Sequence, residues 1–164
     1  MRVVFKNLVV HPQVVMTAHK AGCAAAKQQK FAAFKNAFWE KAYGPYAANR
    51  DNAKLGEENI MAIAKDIGLD TTKLKADMDG ADCQQQIERD MQELAKFHVN
   101  ATPSFFINGK HLGGALPKEQ FKLIIDERLK VAEASGVPGA DYYDKVVMGK
   151  GEKQFRSSVD PKPN

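Results

Sequence analysis

Apolar residues change period along this chain, and the changes mark out its elements. Val3, Val4, Phe5, Leu8, Val9 and Val10 form a run rich in β-branched residues, apolar on both alternating faces, which predicts a mostly buried strand over 2–10 that His11-Pro12 ends. From Pro12 to about Gln29 the run Ala18, Ala21, Ala24, Ala25 and Ala26 favours a helix, and Phe31, Phe34 and Phe38 place a second on the same side as Trp39 and Tyr43. Gly44-Pro45 is expected to break that helix, and the polar residues 46–56 to form a loop. Ile60, Ile63, Ala64 and Ile67 then define a helix closed by Gly68, Asp70 caps a short one through Leu74 and Met78, and Ile87, Met91, Leu94 and His98 carry a longer one. The middle of the chain, 12–98, reads as all helical.

A different pattern follows. Proline cannot donate to a sheet ladder, so Pro103 marks the start of the apolar strand Ser104 to Ile107. Asn108-Gly109 suits the left-handed dihedrals of a two-residue hairpin turn and would pair that strand with Lys110 to Leu112. Behind Pro117, the residues Phe121, Ile124, Ile125, Leu129 and Ala132 recur at helical spacing. Tyr142, Tyr143, Val146 and Val147 suggest one more short helix over 139–149, and 151–164 reads as a disordered tail. No internal repeat is present.

The Thr-Pro strand entry followed by Phe-Phe-Ile-Asn-Gly resembles the closing half of the DsbA family, the thioredoxin-fold bacterial disulfide oxidoreductases. The opening strand, the Ala-rich helix leading into Lys30-Phe31 and Phe38-Trp39, Ile63 to Asp70, and Gly113 to Pro117 are similar to that family in the same order, so the likeness covers about residues 2–135. It implies an α/β protein, an incomplete thioredoxin-like fold with a DsbA-type helical insertion and a small sheet carrying a C-terminal β-hairpin, as one domain over 1–150. It also implies a cis Thr102-Pro103 bond whose loop contacts a peptide or protein thiol substrate.

The same likeness exposes a gap. In the family a further strand and a helix headed by Cys-x-x-Cys come before the segment matching Arg2 to Val10, and this sequence contains no Cys-x-x-Cys. The strand absent here would lie between 3–10 and the strand after Pro103, so something should fill its place. Either the two neighbours pair directly, or a second copy supplies a strand or helix as a homodimer or strand swap; the dimer is the favoured expectation.

Composition narrows the functional classes. At 164 residues and 44% hydrophobic, the chain can bury a core as one domain. Its net charge of +4 comes from Lys and Arg interleaved with Asp and Glu, and Lys27, Lys30 and Lys35 read as the solvated face of an amphipathic helix, so no nucleic-acid partner is expected. The N-terminal residues lack the pattern of a secretory signal, and no run reaches the 18 apolar residues of a membrane span. A periplasmic or exported location is therefore expected only from the resemblance.

Cys23 lies in the Ala-rich helix, and Cys83 sits one turn before Ile87 on the same apolar face. By resemblance to family members with paired non-catalytic cysteines, a structural disulfide between them is the first reading. Their own sequence context leaves open two buried thiols, or a reactive Cys23 activated by His19 one turn away and by Lys20 and Lys27. His19 and Cys23 have ligand spacing but no partner pair, and His11, His98 and His111 are scattered, so neither a metal nor a cofactor is expected. Disulfide exchange needs an accessible thiolate and a nearby resolving thiol, so the resemblance to a thiol-disulfide oxidoreductase comes with no catalytic residue and no expected turnover from this chain alone. The alternative is a non-catalytic thioredoxin-like module that binds peptides or self-associates; a glutathione-using relative finds no support in the residues.

Overall fold

The computed structural model describes residues 2–152, which fall into two compact units, one ending at Gln92 and one beginning at Glu93. In the first, helices α1 (Pro12–Lys27), α2 (Phe31–Phe38), α3 (Gly44–Asn49), α4 (Glu57–Asp66) and α5 (Thr71–Asp79) precede α6 (Ala81–Lys96), which runs across the division. α1 packs against α2 and α5, and it can do so closely because Ala21, Ala24 and Ala25 present only methyl groups to the interior. Phe34, Ile60, Ile63, Leu74, Met78 and Cys83 fill the same core.

Local signals decide where these helices stop. The side chain of Asp70 accepts from Lys73 N at 2.9 Å and caps α5. Gly68, at φ 73°, ends α4 in a left-handed turn in which Leu69 N donates to Ala64 O. The turn after α1 reinforces both ends: Lys30 Nζ donates to the carbonyls of Ile67 and Gly68 at 3.0 and 2.8 Å, satisfying acceptors that the end of α4 leaves over. Gln28 grips Asp70 by its backbone in both directions, Nε2 donating to the carbonyl and Oε1 accepting from the amide.

Three expectations are corrected here. Residues 2–10 are in no strand, and Val3, Val4 and Phe5 are about 60% exposed; the apolar run has strand propensity, but a strand exists only where a ladder partner satisfies its backbone. Gly44-Pro45 does not break the helix, because Trp39–Tyr43 form a π-helical turn in which Gly44 N donates to Trp39 O. That wider turn opens the ladder where Pro45 has no N–H to give, and α3 continues from it. The stretch 46–56 accordingly holds the end of α3 and a 3-10 turn, Asn52–Leu55, whose Leu55 enters the core.

The second unit carries β1 (Ser104–Ile107) and β2 (Lys110–Gly113), antiparallel with Phe105 opposite Leu112 and Phe106 opposite His111. Asn108 and Gly109 turn the chain with φ of 47° and 83°, the pair of positive values that a tight hairpin requires. The Phe105 ring meets Phe121 of α7 (Lys118–Ala134) edge-on at 4.8 Å, and Phe97 meets Phe106 at 5.6 Å. α7 keeps the predicted period, yet Leu123 and Leu129 are more than half exposed. A π-helical turn, Tyr143–Val147, and α8 (Met148–Lys150) occupy the place of the expected last helix. Of the expected disordered tail 151–164, Gly151 and Glu152 are placed by hydrogen bonds to Val147 O and Gly109 O, and 153–164 lie outside the described residues.

Candidate functional site

Cys23 on α1 and Cys83 on α6 form a disulfide, with Cα atoms 5.7 Å apart. They are the two cysteines of the sequence, so residues 1–164 hold no free thiol. This removes both the paired buried thiols and the reactive monothiol. Two of the side chains read as activators of Cys23, Lys27 and His19, are employed elsewhere. Lys27 Nζ bridges Asp77 at 2.9 Å and Asp82 at 3.1 Å, and those two hydrogen bonds raise its pKa. His19 turns toward Asn7.

That contact belongs to a buried network that ties the N-terminal arm to α6. Asp90 follows Cys83 and Ile87 on one face of the helix, and its side chain is only 2% exposed. Its Oδ2 accepts from Asn7 N at 3.0 Å and from Asn7 Nδ2 at 2.7 Å; Oδ1 accepts from Gln86 Nε2 at 3.0 Å and pairs with Lys6 Nζ at 3.2 Å. Because the Asn7 amide donates to Asp90, its oxygen must accept from His19 Nδ1 at 2.9 Å, which fixes the protonated nitrogen of that ring. A chain of oriented donors thus runs from α1 through the arm to a carboxylate that stays ionised.

His19 and Asp90 are shifted the same way. Burial disfavours the imidazolium and holds His19 below its ordinary value. For Asp90, burial alone would raise the carboxyl, but the bonds from Asn7 and the bond and charge of Lys6 outweigh it, leaving the group below the usual carboxylate range. Each group binds fewer protons folded than unfolded, so stability rises with pH through both ranges. His19 begins to destabilise the fold as pH falls below its unfolded value of 6.5, and Asp90 stops contributing as pH falls from 3.8 through its lower folded value. The urea midpoint is expected to drop between pH 7.5 and 5.5, and His19→Gln to flatten that part of the curve. A midpoint that ignores pH over this interval would show that His19 is not desolvated.

The other candidate lies in the second unit. The Thr102-Pro103 bond is cis, and 101–103 are exposed at the entrance to β1. The loop is held on both sides: Ser104 Oγ donates to Ala101 O, and Gly114 N donates to Pro103 O at 2.9 Å. An exposed, braced backbone heading a strand can present hydrogen-bonding groups to another extended chain.

This hairpin and helix, following an all-helical segment of about eighty residues, accord with what sequence comparison finds: a family model described as thioredoxin matches residues 1–127. The chain belongs to the thioredoxin family. Its α/β architecture is accordingly a thioredoxin-like fold, incomplete in that its sheet has two strands among the described residues. The chain is also similar to an Na(+)/H(+) antiporter, NhaA, of Herminiimonas arsenicoxydans, at 26% identity over 138 residues. Those residues are 84% of this chain and 20% of that protein, so the chain spans about a fifth of the curated relative it matches. No solved structure matches. No helix among the described residues is long and apolar enough to cross a membrane.

In this thioredoxin-family chain the residues that sequence reasoning missed are Lys6, Asn7, Gln86 and Asp90. One signal was available for Asp90, which stands three residues after Ile87 and seven after Cys83 on the stripe that faces inward. A carboxylate on such a stripe requires buried donors.

Proposed function

We propose that the chain is a DsbA-like module of protein thiol-disulfide exchange whose Thr102-Pro103 loop receives an extended peptide substrate. The observation that carries this reading is the braced, exposed loop at the head of β1 in a thioredoxin-family chain. The Cys23–Cys83 bond acts structurally in it and supports an oxidising, exported setting such as the periplasm. Exchange requires thiols that residues 1–164 do not contain, so this polypeptide by itself binds without turning over. The match to a fifth of an antiporter supports a module able to serve as one part of a larger protein, and antiport itself is not carried over.

A second reading, self-association, is favoured by the exposed Val3, Val4 and Phe5 of the unpaired arm. One set of measurements tests both. Insulin reduction by the purified chain is expected to stay at background, while a labelled extended peptide binds saturably and Thr102→Arg weakens it several-fold. Peptide binding that ignores Thr102→Arg would falsify the role of the loop. Sedimentation of the same sample gives a dimer if the arm pairs with its copy and a monomer if it does not.

A further inference from the structure

The second unit holds a cavity unrelated to the Thr102-Pro103 loop, with a volume of about 310 Å³. It lies between the hairpin turn, α7 and the C-terminal helical turns, and its apolar walls are Val131, Val146, Val147 and the buried Tyr142. One side is closed by two glycines at a backbone crossing. A Cβ on Gly109 would stand 2.8 Å from Gly151 Cα, and one on Gly151 would stand 2.6 Å from Val147 O, so only glycine allows the strands of chain to meet there. Glu152 N donates to Gly109 O at 2.7 Å, and the Glu152 carboxylate accepts from His111 N at 2.7 Å and from His111 Nδ1. The wall is therefore tied together by bonds of its own.

Its charges are unbalanced. Among the described residues, Arg128, Lys110 and Lys150 line the cavity, and the one carboxylate there, Glu152, is engaged by His111. Arg128 has no acceptor among the described residues, and its Nε is buried without a partner. A guanidinium in that position is stabilised when an anion meets its remaining donors, and its planar fork matches a carboxylate with two parallel bonds. An ion such as phosphate would leave the valine and tyrosine walls unused, whereas a carboxylate with a short apolar body would cover them.

From this geometry we propose that the cavity is a binding site for a small organic carboxylate, with Arg128 holding the charged end and Val131, Val146 and Val147 the apolar end. Hexanoate serves as the probe, with hexanamide and inorganic phosphate as comparisons. Titrating hexanoate into the labelled chain is expected to move the amide signals of Gly109, Val147 and Lys150 saturably, with hexanamide and phosphate at least tenfold weaker. Arg128→Met should abolish the response, and Arg128→Lys should weaken it several-fold. Val146→Phe fills the cavity while leaving Arg128 in place, and it too should abolish binding if Arg128→Met does not fold. No saturable response to hexanoate overturns the proposal, as does a response that Arg128→Lys and Val146→Phe both leave intact. Phosphate binding as tightly as hexanoate removes the apolar walls from the site and overturns the carboxylate assignment.

Discussion

Reduction of the Cys23–Cys83 bond is expected to destabilise the protein by about 4 kcal/mol, the loop-closure entropy returned to the unfolded chain when a ring of this length is opened. The sequence separation of 60 places the bond among the long closures. Native contacts near it change little on reduction, because Cys83 is fully buried and Ala24 and Ala25 beside Cys23 stay in the core. The effect is thus carried by the unfolded state, which becomes larger and richer in conformations. Domains of this kind have a total stability of about 5–15 kcal/mol, so a loss of that size brings the reduced chain toward its midpoint under mild conditions. Urea unfolding with and without a phosphine reductant, and of the Cys23→Ala, Cys83→Ala double variant, measures it. Both should move the midpoint down together, and the slope with urea should rise as the unfolded chain exposes more surface. A shift below about 1 kcal/mol would mean that the unfolded ensemble holds the two segments together without the bond.

Asp90→Ala is the second large effect, expected at about 2–3 kcal/mol. The carboxylate accepts from Asn7 N, Asn7 Nδ2 and Gln86 Nε2 and pairs with Lys6, and its removal leaves these partly buried donors without their acceptor. An orphaned buried donor costs about 1–3 kcal/mol, but Lys6, with its side chain 35% exposed, can turn to water and recover part of its share. Asp90→Asn keeps the shape and one accepting oxygen, so about half the loss is expected. Hydrogen exchange separates this from a general loosening of the core. The amide of Asn7 should lose protection in Asp90→Ala to a greater extent than amides of Ile63 or Leu74, and protease should cut the arm at 2–10 before the helices. Equal loss at all three amides would place the role of Asp90 in helix packing and not in holding the arm.

These two sites differ in how far they could be read in advance. The disulfide was reached by resemblance; nothing in the residues around Cys23 or Cys83 distinguishes a bonded pair from two buried thiols, because pairing depends on two Cα positions sixty residues apart coming together. The Asp90 network joins residues 83 apart in sequence; Asp90 stands on the inward stripe of α6, but Lys6, Asn7 and Gln86 look like ordinary surface side chains until the arm is laid against that helix. The cavity around Arg128 was likewise unreadable, since its walls come from a turn, a helix and a C-terminal segment that have no shared motif.

What the sequence determined by itself is local. Asp70 as a cap, Gly68 as a helix end, Asn108-Gly109 as a hairpin turn and Pro117 before α7 all emerge where their own dihedral or hydrogen-bonding preferences place them. Tertiary structure decided everything that needs a partner. The run Val3 to Val10 has the composition of a strand, but a ladder bond requires a second backbone and Asp90 takes Asn7 instead. Gly44-Pro45 has the composition of a break, but Ala42 and Tyr46 pack into the core on either side of it, and a π turn lets the helix pass through. Ile125 and Leu129 have the spacing of a buried face and remain exposed, because periodicity specifies which residues share a side of α7, while cover for that side must come from another element.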